Sequence, residues 1–187
     1  SVSDYAILAQ KAENNYFNKP CGLMDQMVIA HGGFCAIDFY DKEHPKVEQI
    51  DSRGMLEDVD ICLVQSGGSH ADLSDDYAEI TKDCKVLSQY FNQDYLSRVS
   101  FEDFYQELPK LHETMDTRIL LRGYHFFKEN ERVLDLMQAL ENQDLPRFMD
   151  HIIASGNSSY HYLQNVLNKR DNKQGLALAL MLAEHHL

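Results

Sequence analysis

The sequence AENNYFNKPCGLMDQ, from Ala12 to Gln26, decides how the first part of this chain is predicted to fold. The segment Asn18-Lys19-Pro20 ends one predicted helix, because proline lacks a backbone N–H and clashes with the preceding turn. A second helix is predicted over residues 23–31 and ends before a pair of glycines. Glu13 on the first helix and Asp25 on the second are therefore expected to approach one another across the turn.

The first predicted helix spans Asp4 to Tyr16, with Ser3 as its N-cap. Its apolar residues recur at the helical period, so we expect them to form a buried stripe with Glu13 at its edge, facing a cleft. These residues are Tyr5, Leu8, Ala9, Ala12 and Tyr16.

The rest of the chain predicts an α+β fold. Residues 34–40 and 47–50 predict a β-hairpin, and DICLVQ (60–65) predicts a short buried strand. The remaining chain is almost wholly helical in pattern, with helices predicted over 72–91, 101–108, 114–127, 131–141, 145–154, 158–167 and 174–186. The composition changes near Gly67. We therefore expect residues 1–60 to belong to one lobe and residues 61–187 to a second, helix-rich lobe.

Charge and composition exclude several classes of partner. Thirty acidic against seventeen basic residues give a formal charge of −13, which disfavours a nucleic-acid or anionic membrane partner. No apolar run reaches the ~20 residues that span a bilayer. The four cysteines form no C-x-x-C pair and are expected to be free thiols in a reducing cytoplasm.

Asp25 and Gly22 have the chemistry of a substrate site. Asp25 falls in the first turn of its helix, where the dipole favours an ionised carboxylate that can orient a hydroxyl or accept its proton. Gly22 precedes that helix and, without a Cβ, lets a ligand approach the backbone. The alternative is that Asp25 only stabilises its helix, because acidic residues are common in first turns.

Glu13 is the candidate metal ligand. Magnesium takes one or two protein carboxylates together with phosphate oxygens and waters, so one glutamate beside the turn suits it. The alternative is a solvated helix glutamate with no specific role.

Three blocks of this sequence, in order along the chain, resemble the galactokinases of the GHMP kinase superfamily. The first joins Gln10–Asn14 to Pro20–Gln26, the second is Ser66–His70 followed by Asp76-Tyr77, and the third runs loosely from Arg132 to Ser158. Ordered matches of several blocks identify a family better than any single motif. The resemblance implies a GHMP-kinase-like α+β fold, in which residues 1–60 are the C-terminal part of the N-terminal lobe and residues 61–187 form an incomplete C-terminal lobe.

The resemblance also implies a role for individual residues. Asp25 matches the catalytic aspartate that faces the sugar's anomeric hydroxyl, and Glu13 matches a glutamate that holds Mg²⁺. Gly22 and Tyr77 match positions near the sugar. Ser66 and Ser69 match a loop near the nucleotide, and Ser69 stands where some relatives carry arginine. The implied reaction is transfer of the γ-phosphoryl group of ATP to the 1-hydroxyl of galactose.

Three family motifs have no counterpart in this sequence: the N-terminal sugar-recognition motif, the serine-rich phosphate-binding loop and the late glycine-rich motif. Because backbone N–H groups of such a loop bind phosphate, we expect the isolated chain to be inactive. We also expect the rest of its own polypeptide to be needed to complete the active site of a cytoplasmic enzyme.

Two alternatives stay open. The full-length protein could be another GHMP sugar-1-kinase, acting on an amino sugar, a uronic acid or arabinose. It could instead be a non-catalytic sensor of galactose and ATP, because some galactokinase relatives control a transcription partner.

Overall fold

The computed structural model of this chain describes residues 1–17, 21–41, 43–52, 54–67, 74–167 and 172–186. These residues form a helix-rich structure with a two-stranded sheet, which is compatible with the predicted α+β class. The chain divides into two compact units, each of which contains two segments. Unit 1 comprises Ser1–Asp58 and Val133–Phe148, and unit 2 comprises Val59–Arg132 and Met149–Leu187.

Helix α1 spans Val2–Asn15 and begins at a capping box. The Ser1 hydroxyl accepts from the backbone N–H of Asp4, and the Asp4 carboxylate accepts from the backbone N–H of Ser1. The prediction that Ser3 caps this helix was therefore wrong. Ser3 lies in the first turn, and its hydroxyl is 3.1 Å from Nε2 of His31.

Helix α2 spans Met24–His31 and ends at Gly32, whose φ of +68° is a conformation that favours glycine. Strand β1 (Phe34–Asp38) then pairs antiparallel with strand β2 (Lys46–Ile50). The predictions of a helix ending at glycine and of a hairpin after it are confirmed.

The apolar stripe predicted for α1 is exposed, so that prediction was wrong. Tyr5 and Tyr16 are 75% and 80% exposed, and the buried residue of the helix is Ala6. Polar side chains of α1 instead make contacts with the turn and with α2, as described below. Glu13 is half-buried because it lies on this polar face, and not because it borders an apolar one.

Of the later helices, those that begin at Phe101 and Leu145 are longer than the sequence predicted, and those that begin at Ser74 and Gly175 lie within their predicted bounds. The later helices are α3 (Ser74–Tyr90), α4 (Phe101–Thr114), α5 (Thr117–Glu141), α6 (Leu145–Ser158) and α7 (Gly175–His186). A 3₁₀ turn at Leu96–Arg98 precedes α4, and a π-helical turn at Ser159–Leu163 follows α6. The separate helices predicted over 114–127 and 131–141 are one continuous helix.

The core of unit 2 lies among α3, α4 and the first part of α5. Phe104, Leu87 and Leu111 are fully buried there. Gly123 on α5 allows this packing, because a Cβ at that position would overlap the side chain of Leu87. These helices form because each contributes one apolar stripe to a shared core.

Residues 60–65 form no strand, so the prediction of a buried strand there was wrong. Within the part of the chain that the structure describes, the sheet contains β1 and β2 alone. Ile61 is 86% exposed and Leu63 is 98% exposed. The apolar sequence of this segment is therefore not covered by the described residues.

None of the described helices is long and apolar enough to cross a membrane.

Candidate functional site

The turn between α1 and α2 is held by the backbone of Cys21. Its N–H donates to Oδ1 of Asn14 at 2.8 Å, and its carbonyl accepts from Nδ2 of the same residue at 3.4 Å. The Cys21 carbonyl also accepts from Nε2 of Gln10 at 3.2 Å. Two amide side chains at the end of α1 therefore fix the residue that precedes Gly22.

Glu13 is joined to the first turn of α2 by a hydrogen bond. Nε2 of Gln26 donates to Oε1 of Glu13 at 3.0 Å and lies 3.6 Å from Sγ of Cys21. Gln26 follows Asp25 directly, so the structure brings Glu13 to the helix turn that carries Asp25. Oε1 of Gln26 is buried and finds no partner among the described residues.

Asp25 is exposed in the first turn of α2. The unpaired N–H groups and dipole of a helix N-terminus stabilise a carboxylate there. Among the described residues, no hydrogen bond or ion pair of its side chain is found. An accessible carboxylate at this place can accept a proton or a hydrogen bond from a ligand.

Gly22 is exposed beside Asp25, and its glycine identity is not required by local packing. No described atom lies within 4 Å of the place where a Cβ would be, and its φ is not in the left-handed region. Neither backbone strain nor crowding explains glycine at this position. The described residues leave this space unfilled.

The other predicted site residues belong to unit 2. Tyr77 lies on α3 and is half-exposed, and Ser66 ends the exposed apolar segment. A Cβ at Gly175 would overlap the carbonyl oxygen of Ser66, so this carbonyl lies against the first residue of α7. Ser69 lies outside the described residues.

A polar cluster between α5 and α6 was missed by the sequence analysis. Nδ1 of His125 is 2.9 Å from Oγ of the buried Ser158, and the hydroxyl of Ser155 donates to Oε2 of Glu129 at 2.7 Å. Arg132 forms an ion pair with the same glutamate. Burial and the charge of Arg132 lower the pKa of His125, against the opposing effect of its bond to Ser158. The only sequence signal was three polar side chains at helical spacing on one face of α5.

No group of three or more His, Cys, Asp or Glu side chains within the described ranges has the arrangement of a metal site. A magnesium ion that keeps most of its water needs fewer protein ligands than such a group provides.

Comparison with known proteins identifies relatives of this chain. It is 29% identical to a galactokinase of Actinobacillus succinogenes over 160 residues, which is 82% of this chain and 39% of that protein. It is 30% identical to a galactokinase of Haemophilus influenzae over 152 residues, which is 78% of this chain and 37% of that protein. A galactokinase of Pasteurella multocida is 29% identical over 150 residues. No protein-family model matches the chain. The chain thus spans less than two fifths of the length of these relatives.

Proposed function

Because this chain is homologous to galactokinases over about four fifths of its length, we propose that it forms part of a sugar kinase with the GHMP-kinase fold. The complete protein transfers the γ-phosphoryl group of ATP to the 1-hydroxyl of galactose. Residues 1–60 are the C-terminal part of the N-terminal lobe, and residues 61–187 belong to the C-terminal lobe. The observation that carries the proposal is the hydrogen bond from Gln26 to Glu13, which joins both halves of the segment that resembles galactokinases.

Asp25 is the catalytic residue of this proposal. Its exposure and its position in the first turn of α2 leave the carboxylate accessible to a ligand. In a phosphoryl transfer the attacking hydroxyl must be held in line and must lose its proton. Asp25 orients the sugar hydroxyl and accepts that proton.

Gly22 supports a sugar beside Asp25. The open space at its Cα lets a hydroxyl of the substrate reach the backbone of the turn. The backbone there is fixed by the bonds between Asn14 and Cys21, so the substrate does not have to order it. Tyr77 is a second residue that we assign to sugar binding.

Glu13 is the proposed magnesium ligand. It is half-buried, and Gln26 holds one of its oxygens, which limits the orientations of the carboxylate. One such carboxylate, with phosphate oxygens and waters, fits the ligand preference of Mg²⁺. When bound, the ion neutralises charge that develops on the phosphate oxygens. Ser66 and Ser69 are the residues that we assign to nucleotide binding.

We expect the complete protein to be a cytoplasmic enzyme. The isolated chain is expected to be inactive, because its sequence contains no serine-rich phosphate-binding loop. The rest of the polypeptide completes the site. The exposed apolar residues of α1 support this expectation, because in a complete fold such residues are covered.

The test uses two proteins: this chain alone, and a chimera in which it replaces the matched part of the Haemophilus influenzae relative. Release of ADP is measured with ATP, Mg²⁺ and a panel of sugars. We expect no turnover by the chain alone and turnover with galactose by the chimera. In the chimera, Asp25→Asn should abolish most turnover and leave galactose binding intact.

Three results would contradict parts of this proposal. Turnover by the isolated chain refutes the need for the rest of the polypeptide. Preference for an amino sugar, a uronic acid or arabinose refutes galactose as the substrate. Galactose and ATP binding without turnover in a folded chimera, unchanged by Asp25→Asn, indicates a sensor and refutes the kinase.

A further inference from the structure

Gln26 lies between the proposed metal ligand and the turn that precedes α2. Its Nε2 donates to Oε1 of Glu13 at 3.0 Å and lies 3.6 Å from Sγ of Cys21. The roles proposed above for Glu13 and Asp25 give Gln26 no function of its own, although it is bonded to the first residue and follows the second in sequence.

The bond to Glu13 fixes the orientation of the Gln26 amide. In the reverse orientation, Oε1 of Gln26 would face the Glu13 carboxylate, and two acceptors would repel one another. The observed orientation places the donor there and leaves Oε1 of Gln26 buried, with no partner among the described residues. A buried acceptor without a partner costs free energy, so this orientation is kept for the bond that Nε2 makes.

Packing alone does not explain an amide side chain at this position. A methionine has a similar length and would leave no oxygen buried without a partner. Buried polar atoms that lack a partner are rare in folded proteins, and each of them calls for an explanation. Control of the Glu13 carboxylate is such an explanation, because a hydrogen bond to a charged group is strong and directional.

The bond also ties the carboxylate to a helix other than its own. Glu13 belongs to α1 and Gln26 to α2, and both side chains are half-buried. A carboxylate held in this way presents fewer orientations to a cation. Residues that hydrogen-bond to a metal ligand commonly change metal affinity or activity by about 10–100-fold when they are replaced.

We propose that Gln26 is a positioning residue of the metal site, which holds Oε1 of Glu13 and thereby sets how tightly Mg²⁺ and its nucleotide are bound. Gln26 acts through Glu13 and not by contact with the ion or the sugar. This inference rests on the proposed function, in which Glu13 is the magnesium ligand.

Gln10 provides a matched control at the same turn. It is also a half-buried glutamine, and its Nε2 donates to the carbonyl of Cys21 at 3.2 Å. Replacement of either glutamine by methionine keeps the length of the side chain and removes an amide near Cys21, but Gln26→Met also removes the bond to Glu13. If Gln26 only held the turn, the two variants would behave alike.

The measurement is equilibrium binding of a fluorescent ATP analogue to the chimera described above, with Mg²⁺ and with EDTA. The ratio of the two dissociation constants reports how much the ion tightens nucleotide binding, and it does not depend on turnover. Gln26→Met should reduce this ratio by about tenfold, and Gln10→Met should change it by less than about twofold.

A double variant tests whether Gln26 acts through Glu13. Glu13→Gln should reduce the ratio at least as much as Gln26→Met does. Adding Gln26→Met to Glu13→Gln should then give no further loss, because the carboxylate that Gln26 positions is already gone. Losses that add would show that Gln26 acts on the nucleotide by another route, and they would overturn the proposal.

The remaining outcomes separate this inference from the proposed function. Equal losses in Gln26→Met and Gln10→Met, or no loss in Gln26→Met, overturn the positioning role, and turnover of galactose by the parent chimera then leaves the proposed function standing. No loss in Glu13→Gln refutes Glu13 as the metal ligand, and the positioning role fails with it. The expected losses in a chimera that turns over another sugar support the positioning role and refute galactose as the substrate.

The isolated chain tests the contact itself, without metal or nucleotide. The side-chain amide signals of Gln26 in an NMR spectrum are identified as the pair that Gln26→Met removes. Glu13→Ala should shift this pair and speed its exchange with water, because a hydrogen bonded to a carboxylate is protected. A pair that Glu13→Ala leaves unchanged overturns the proposal, whether or not the chimera folds.

Discussion

The ion pair between Arg122 and Asp83 should be the most costly polar contact to break in unit 2. Both side chains are at least 90% buried, and they join α5 to α3 across 39 positions of sequence. A buried charge that loses its partner keeps its desolvation penalty, which costs about 3–5 kcal/mol. Glu79 lies 3.6 Å from the same guanidinium and partly compensates, so Asp83→Leu should cost about 3 kcal/mol, the lower end of that range.

Urea unfolding followed by circular dichroism measures this loss. A protein of ordinary stability has about 5–15 kcal/mol, so the variant should fold but unfold at a clearly lower urea concentration. Adding Arg122→Met should restore part of the stability, because the double variant has no unpaired buried charge. The control is Lys110→Met, which removes an exposed ion pair with Glu107 and should leave the midpoint almost unchanged.

The reasoning is refuted if Asp83→Leu unfolds within experimental error of the parent. It is also refuted if the double variant loses more free energy of unfolding than the two single variants lose together. Either result would mean that the guanidinium is solvated in solution and that packing alone joins α3 to α5.

Three further predictions concern single side chains. The pKa of His125 lies below its usual value of 6.5, so the unfolded chain binds the proton more tightly than the folded one. The free energy of unfolding should therefore fall as the pH drops through about 6.5, and His125→Gln should flatten that part of a pH–stability curve. Gly175→Ala forces a Cβ against the Ser66 carbonyl, and hydrogen exchange at the start of α7 should become faster. Asn14→Ala removes both bonds to the Cys21 backbone and should lower the free energy of unfolding by about 1–3 kcal/mol in urea titrations.

Local signals predicted the elements of unit 1 well. The breaker at Pro20, the paired glycines after α2 and the alternation of the hairpin each act within a few residues, and α2, β1 and β2 lie where those signals place them. The sequence did not predict correctly which face of α1 packs. Two stripes follow the helical period, one apolar and one polar, and the sequence cannot show which of them meets a partner. The polar stripe, with Asn14 and Glu13, makes the contacts because amide and carboxylate side chains find partners in the turn.

Helix ends in unit 2 depended on tertiary packing. The helix predicted over 101–108 ends directly before Pro109, and a proline inside a helix removes one helical hydrogen bond. The helix continues to Thr114, and Leu111, beyond the proline, is fully buried in the core. Burial of a leucine side chain is worth about 1.5–3 kcal/mol, which offsets much of the proline's cost of about 3 kcal/mol. The strand predicted at residues 60–65 was wrong, because an apolar run alone does not show whether a pairing partner exists, and the described residues form no strand beside it.

The residues around the turn differ in what a substitution at each of them would change. Asn14, Cys21 and Gln26 are bonded to one another or to Glu13, so changes in them alter structure and chemistry together. Asp25 is exposed and makes no such bond among the described residues. Its loss therefore removes only a favourable helix-dipole interaction of about 0.3–1 kcal/mol. A loss of turnover in Asp25→Asn far beyond that energy can only come from chemistry at the carboxylate, which makes Asp25 the cleanest probe of the proposed kinase.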